Sequence, residues 1–315
     1  MAWDPSVADS EGYQTTLYDP EADMAVLTPQ TLLNTLNVSH LRAIDDEKYV
    51  IRQEEKLNSE SVAHTASMIT RPQLQRLLRG TQSGVVLIDG HLDTTQQSPR
   101  VTPISVTCAT LAKALRLRDN MQTTVLVFFC GRHIQQGDDL RGPSGMMKSL
   151  LAQLLLALLK NKWIDEDVNM KRPSHSHGKG GETDEPSLED MCQLFHALLR
   201  VVPPQVEMVC LIDGISQYEQ DAWLDDYHLV MSSFSEIIKN SKLGVRFKLL
   251  MTSPTHSREL ASLPEEQHVS LRRKRGEHGP GAKRAFRAAF ATLEEPARFS
   301  YQGETDGYGG GYYPR

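Results

Sequence analysis

The stretch GVVLIDG, residues 84–90, joins a glycine start, four consecutive apolar residues of which three are β-branched, and an Asp-Gly stop. A short apolar run without alternation, closed by turn residues, is the signature of a strand buried on both faces. The pattern returns three times. TVLVFFC (124–130) ends at Gly131, VEMVCLI (206–212) ends at Asp213 and Gly214, and VRFKLLMT (245–252) ends at Ser253 and Pro254; residues 268–271 suggest a short fifth strand. Helical patterns lie between them. Residues 105–117 form one. Pro143 suits a first helical turn and precedes Met146, Met147, Leu150, Leu151, Leu154, Leu155, Leu158 and Leu159 at i, i+3, i+4 spacing. Ser187 as N-cap with Asp190 three residues on starts another, which Pro203 and Pro204 stop. A fourth covers 227–239. Strands apolar on both faces and separated by helices predict a three-layer α/β domain with a parallel sheet.

Working outward, this domain occupies 71–271, with a loop insertion at 171–186 (KRPSHSHGKGGETDEP) that holds no apolar residue apart from its prolines. Residues 28–70 predict a helical segment, polar enough to cover the domain rather than build its core. Residues 1–27 form an acidic head, and 272–315 a basic tail rich in Gly and Tyr at its end; neither offers enough apolar area to offset the entropy of ordering, so both are expected to be disordered. Of 315 residues, 34 are Lys or Arg and 40 Asp or Glu, a net charge of −6, and the share of hydrophobic residues is 39%. The four cysteines have no CxxC spacing and no signal-like start precedes them, so they read as reduced thiols of a cytoplasmic protein, with the nucleus as the alternative. The apolar run 146–159, broken by Lys148 and Gln153, falls short of the ~17 residues that span a bilayer. The expectation is a soluble chain.

Three pieces, in this order and spacing, carry a resemblance: TTVLVFFCGRH (123–133), GPSGMMKSLLAQLL (142–155) and VCLIDGISQYE (209–219). Together with the strand ending TSP they resemble the NACHT-type P-loop NTPase domains of the STAND class, and more closely the degenerate nephrocystin-like N-terminal domains abundant in filamentous fungi. The resemblance covers residues 71–271 and implies a P-loop NTPase-like fold. On it, Gly90, Ser105, Asp213, Thr252 and Ser253 fall at nucleotide-binding positions, and Asp213 at the position that orients Mg²⁺.

The chain departs from that family where charge is handled. The phosphate loop G-x-x-x-x-G-K-[ST] cradles phosphates with backbone N–H groups, a Lys and a magnesium-binding hydroxyl. If Ser105 supplies the hydroxyl, the Lys position holds Ile104 and the glycine before it is Pro103, which has no N–H to offer. The loop from Gly90 is about eight residues longer than the pattern. Asp89 adds a negative charge at its entrance, and two unit charges at ~4 Å repel by roughly 4 kcal/mol at an effective dielectric of 20. The acidic pair that follows the strand-ending Asp in NACHT domains corresponds to Ser216 and Gln217, with Glu219 too far along to inherit the role, and the sensor Arg after Thr252 and Ser253 is Pro254. Without those groups phosphoryl transfer has little electrostatic stabilisation left.

The resemblance therefore implies a catalytically degenerate regulatory or scaffolding module, without a cofactor, that binds a protein partner. The alternative is a STAND-like protein that still binds Mg-nucleotide through Asp213 and Ser105. A third reading, nucleic-acid binding in the nucleus, rests on Arg272, Arg273, Lys274 and Arg275, but the net charge opposes it. Asp89 and Asp213 at one rim invite a divalent-metal or polar-ligand reading, against which Asp-Gly is a good strand-ending turn. Cys130 and His133 lack a second pair at zinc spacing, and His175 and His177 sit in a polar loop. Residues 285–290 have the composition of a short amphipathic helix for a partner. There is no G-x-S-x-G elbow for a hydrolase.

Overall fold

The computed structural model describes residues 28–39, 41–92, 100–117, 123–166, 168, 170, 186–272 and 290. Five strands, β1 (Gly84–Asp89), β2 (Thr123–Phe129), β3 (Glu207–Asp213), β4 (Arg246–Ser253) and β5 (His268–Ser270), form one parallel sheet in the order β2-β3-β4-β1-β5. The expected parallel α/β architecture is present, each strand lying within a residue or two of its predicted bounds. Alternation splits each of the four long strands between two cores; in β2 and β3, Leu126, Phe128, Met208, Cys210 and Ile212 face one, and Val125, Val127, Phe129, Val209 and Leu211 the other. A strand sandwiched in this way has no polar face, which is why the runs are continuous.

Eight α-helices accompany the sheet among the described residues. On one face α2 (Arg42–Arg52) and α3 (Ser59–Ala66) pack against α5 (Pro103–Leu117), and α4 (Pro72–Arg79) packs against β1. On the other, α1 (Pro29–Leu36) lies against α6 (Gly142–Lys160), which packs with α7 (Leu188–Leu199) and α8 (Leu224–Lys239). The predicted Ser187 and Asp190 start of α7 is a full capping box, each side chain bonded to the other's backbone N–H. The helix α6 runs to 19 residues, longer than the apolar run in the sequence, and by length and composition alone it is long and apolar enough to cross a membrane; 67% of it is buried within the protein, as a core helix is.

The helical segment 28–70 does more than cover. Leu32 and Leu36 of α1 and Val50, Val62, Met68 and Ile69 behind them are buried in the two cores. Each helix contributes only two or three apolar residues, so its amphipathic stripe is thin, yet Thr28 caps α1 by accepting the Thr31 N–H and Asn37 closes it in the left-handed region at φ 48°. All four cysteines are free and buried. Of residues 285–290 only Phe290 is described, and it packs into the core around α5 rather than facing outward. The acidic head, residues 171–185 of the insertion with His175 and His177, and the basic run from Arg273 lie outside the described residues.

Candidate functional site

The chain leaving β1 enters α5 on one face of the sheet, while the chains leaving β2 and β3 enter α6 and α8 on the other. Crevices for ligands form at the carboxyl ends of strands where connections diverge in this way. Register brings the candidate residues to one level of that rim: Asp89 is paired with Ser253, and Asp213 with both Thr252 and Phe129.

Asp213 is the centre of the first cluster. Its Oδ1 accepts the Thr252 hydroxyl proton at 2.7 Å, and Thr252 Oγ1 in turn accepts the Gly214 N–H at 3.3 Å. Burial pushes the Asp213 carboxyl up to about 6, against hydrogen bonding from Ser105, Thr252 and Cys108 that pulls the other way. Ser105, Asp213 and Thr252, assigned from separate stretches of sequence, are thus brought into one buried contact. Ser105 is also tied to its own turn: its hydroxyl accepts the Thr102 N–H at 3.1 Å, and Thr102 Oγ1 accepts the Ser105 N–H at 3.4 Å. Val101, Thr102 and Ile104 beside it are all buried. The start of α5 is closed by the protein's own side chains.

Gly90 lies where a phosphate loop would leave β1, but its backbone is committed elsewhere. The N–H groups of Gly90, His91 and Leu92 donate to the carbonyls of Ser253 (2.8 Å), Thr255 (2.9 Å) and Pro254 (2.8 Å). The approach is close enough that a Cβ on Gly90 would sit 2.9 Å from the Pro254 carbonyl oxygen, which accounts for the glycine. Ser253 donates its hydroxyl to Ser216 at 2.8 Å, so two further assigned positions are joined to each other. Glu219 holds the turn after β4, accepting from the Ser257 hydroxyl and, at 2.8 Å, from the Arg258 N–H.

Asp89 does not project a charge into the loop, as its position in the sequence suggests. Its carboxylate is fully buried: Oδ1 accepts the Ser257 N–H at 3.1 Å, and Oδ2 is hydrogen-bonded to His256 Nδ1 and, at 2.8 Å, to His268 Nε2. His91 stands beside this group in the left-handed region (φ 48°), its ring stacked on His256 with centroids 5.8 Å apart, its Nε2 paired with the Ser270 hydroxyl at 2.8 Å. Burial lowers the His91 pKa, opposed by the charge of Asp89. These three histidines were missed in the sequence. The signal that could have found them is position: His91 and His256 follow strand ends by two and three residues, and His268 opens β5.

A separate cluster lies at the end of β2. His133 is buried between Asp46 of α2 (Nε2 to Oδ2, 3.0 Å) and Asp138 (Nδ1 to both oxygens, 3.1 Å), and Arg132 donates to Asp46 at 3.2 Å. Both imidazole nitrogens are occupied by carboxylates from two segments, so His133 fastens α2 to the loop before α6 and does not join Cys130 in a metal site.

With this geometry in place, one comparison bears on the chain: residues 104–253 match the family described as nephrocystin 3, N-terminal. The match runs from the residue before Ser105 to Ser253 and so includes β2, β3, β4 and the Asp213 cluster. This part of the chain is similar to the nephrocystin-like N-terminal domain. No curated protein and no solved structure matches the chain.

Proposed function

We propose that the chain is a pseudo-NTPase: a P-loop NTPase-like domain of NACHT or STAND type, of the kind found in filamentous fungi, that no longer hydrolyses nucleotide and serves as a regulatory or scaffolding module for a protein partner in the cytoplasm. The observation that carries this reading is the fate of three backbone donors. A phosphate nest needs free N–H groups after the first strand, and those of Gly90, His91 and Leu92 are spent on the carbonyls of residues 253–255. The missing charges agree with it. Ile104 stands at the Lys position and is buried, Pro254 stands at the sensor Arg position, and of Ser216 and Gln217, at the positions of the acidic pair, Ser216 is bonded to Ser253.

One observation favours a second reading. Ser105 is close enough to the buried Asp213 carboxyl to lower its pKa, and a phosphate-loop hydroxyl and a strand-ending carboxylate placed together in this way would share Mg²⁺, so a protein that binds Mg-nucleotide without turning it over is the alternative. Calorimetry with ATP and GTP in the presence of Mg²⁺ decides between them. No heat of binding supports the first reading, and micromolar binding abolished by Asp213→Ala overturns it.

A further inference from the structure

We infer that Asp89, His91 and His256 form a binding site for one divalent cation of the zinc, cobalt or nickel class, at the strand rim where the chain leaves β1. One donor atom from each of the three lies within 4.8 Å of the others. They come from two segments far apart in sequence: Asp89 and His91, two residues apart where the chain leaves β1, and His256 in the turn after β4.

The supporting structure around them is that of a site which orients its ligands. Ser257 N–H holds Asp89 Oδ1, which leaves Oδ2 turned toward the imidazoles. His268 Nε2 bonds that same oxygen at 2.8 Å, and Ser270 fixes the His91 ring at 2.8 Å; outer hydrogen bonds of this kind set the direction of metal-binding carboxylates and imidazoles. His91 adopts φ 48°, unusual for a residue with a side chain, and in doing so stacks on His256.

Chemistry selects the ion. Two imidazole nitrogens and one carboxylate oxygen suit a borderline transition-metal dication and not Mg²⁺ or Ca²⁺, which take oxygen donors. Bonds of ~2.0 to 2.2 Å hold tetrahedral donors about 3.4 Å apart, so the widest pair, within 4.8 Å, closes on the ion, while His256 Nδ1, now hydrogen-bonded to Asp89 Oδ2, gives up that proton and the ion takes its place. The His256 side chain is 46% exposed and has room to adjust to the ion, while Asp89 is fixed. Three protein ligands leave one tetrahedral position for water. Bound there, the ion ties β1 to the turn after β4, reinforcing the backbone pairing that consumes the Gly90, His91 and Leu92 donors.

The test uses the full chain, stripped with chelator and titrated with ZnCl₂ by calorimetry, with Co²⁺ absorption as a spectroscopic readout. One equivalent should bind at low micromolar or tighter affinity, and the bound Co²⁺ should show visible bands of a four-coordinate nitrogen and oxygen site. His256→Ala, at a half-exposed position that leaves the fold intact by circular dichroism, and His91→Ala should each weaken Zn²⁺ by at least tenfold, while His175→Ala combined with His177→Ala should leave it unchanged. No saturable binding, or binding that survives both single replacements at His91 and His256, overturns the site. Neither result depends on whether nucleotide binds.

Discussion

Thr252 donates its hydroxyl to Asp213 at 2.7 Å across two adjacent parallel strands, and the acceptor is a carboxyl that burial has pushed up to about 6. In the unfolded chain the same group titrates near 3.8. Between these values the native state holds more protons than the unfolded state, so stability falls as pH rises through the window and the loss, about 3 kcal/mol, is complete above it. Asp213→Asn removes that dependence. Urea unfolding from pH 4 to 8 should show the variant more stable than the parent by about 1 to 3 kcal/mol above pH 6 and near parity at pH 4.

At the opposite end of the sheet, Lys248 of β4 is fully buried and donates to Glu207 at 2.6 Å and to the Leu78 carbonyl at 3.0 Å. Breaking a buried pair strands a charge, at about 3 to 5 kcal/mol. Lys248→Ala should lose that much by denaturant unfolding. Lys248→Met combined with Glu207→Gln should recover most of it, since no uncompensated charge remains.

Two glycines mark close backbone approaches of different severity. A Cβ on Gly145 would lie 2.0 Å from the Leu140 carbonyl carbon, in the first turns of α6, and one on Gly90 2.9 Å from the Pro254 carbonyl oxygen. Gly145→Ala should lower the midpoint of thermal unfolding by far more than Gly90→Ala, which is expected to cost about 1 to 3 kcal/mol.

The fastening of α2 by His133 is also testable. Asp46 accepts from both Arg132 and His133. Asp46→Ala leaves the buried His133 donor and the part-buried Arg132 guanidinium without this acceptor, at about 1 to 3 kcal/mol for the buried donor. Amide exchange should accelerate first in Arg42–Arg52 and leave β3 and β4 protected.

The sheet was legible because each of its four long strands carries apolar residues on both faces, a pattern that needs no knowledge of its partners. The Asp213 cluster was legible for a related reason: a carboxylate ending such a strand must lie at the rim, and the resemblance to a phosphate-loop pattern put Ser105 at the start of the helix beside it. The three histidines were not. His91, His256 and His268 meet only because β1 pairs with β4 on one side and β5 on the other, and strand order is not written in local pattern. The same limit hid the answer to Asp89. Its charge argued for repulsion of phosphate, but Ser257 N–H and two imidazoles absorb it, and the stronger obstacle is the pairing of 90–92 with 253–255, a backbone relationship between segments far apart in sequence. The core role of α1 to α3 was missed because each supplies so few apolar residues that only tertiary packing reveals the stripe.

The central claim is that the Gly90, His91 and Leu92 N–H donors are unavailable to phosphate, and amide hydrogen exchange at these three residues measures it directly. Recorded with and without millimolar Mg-ATP, these three amides should be slow in the free protein and unchanged by nucleotide. Fast exchange in the free protein that becomes slow when Mg-ATP is added would contradict the account.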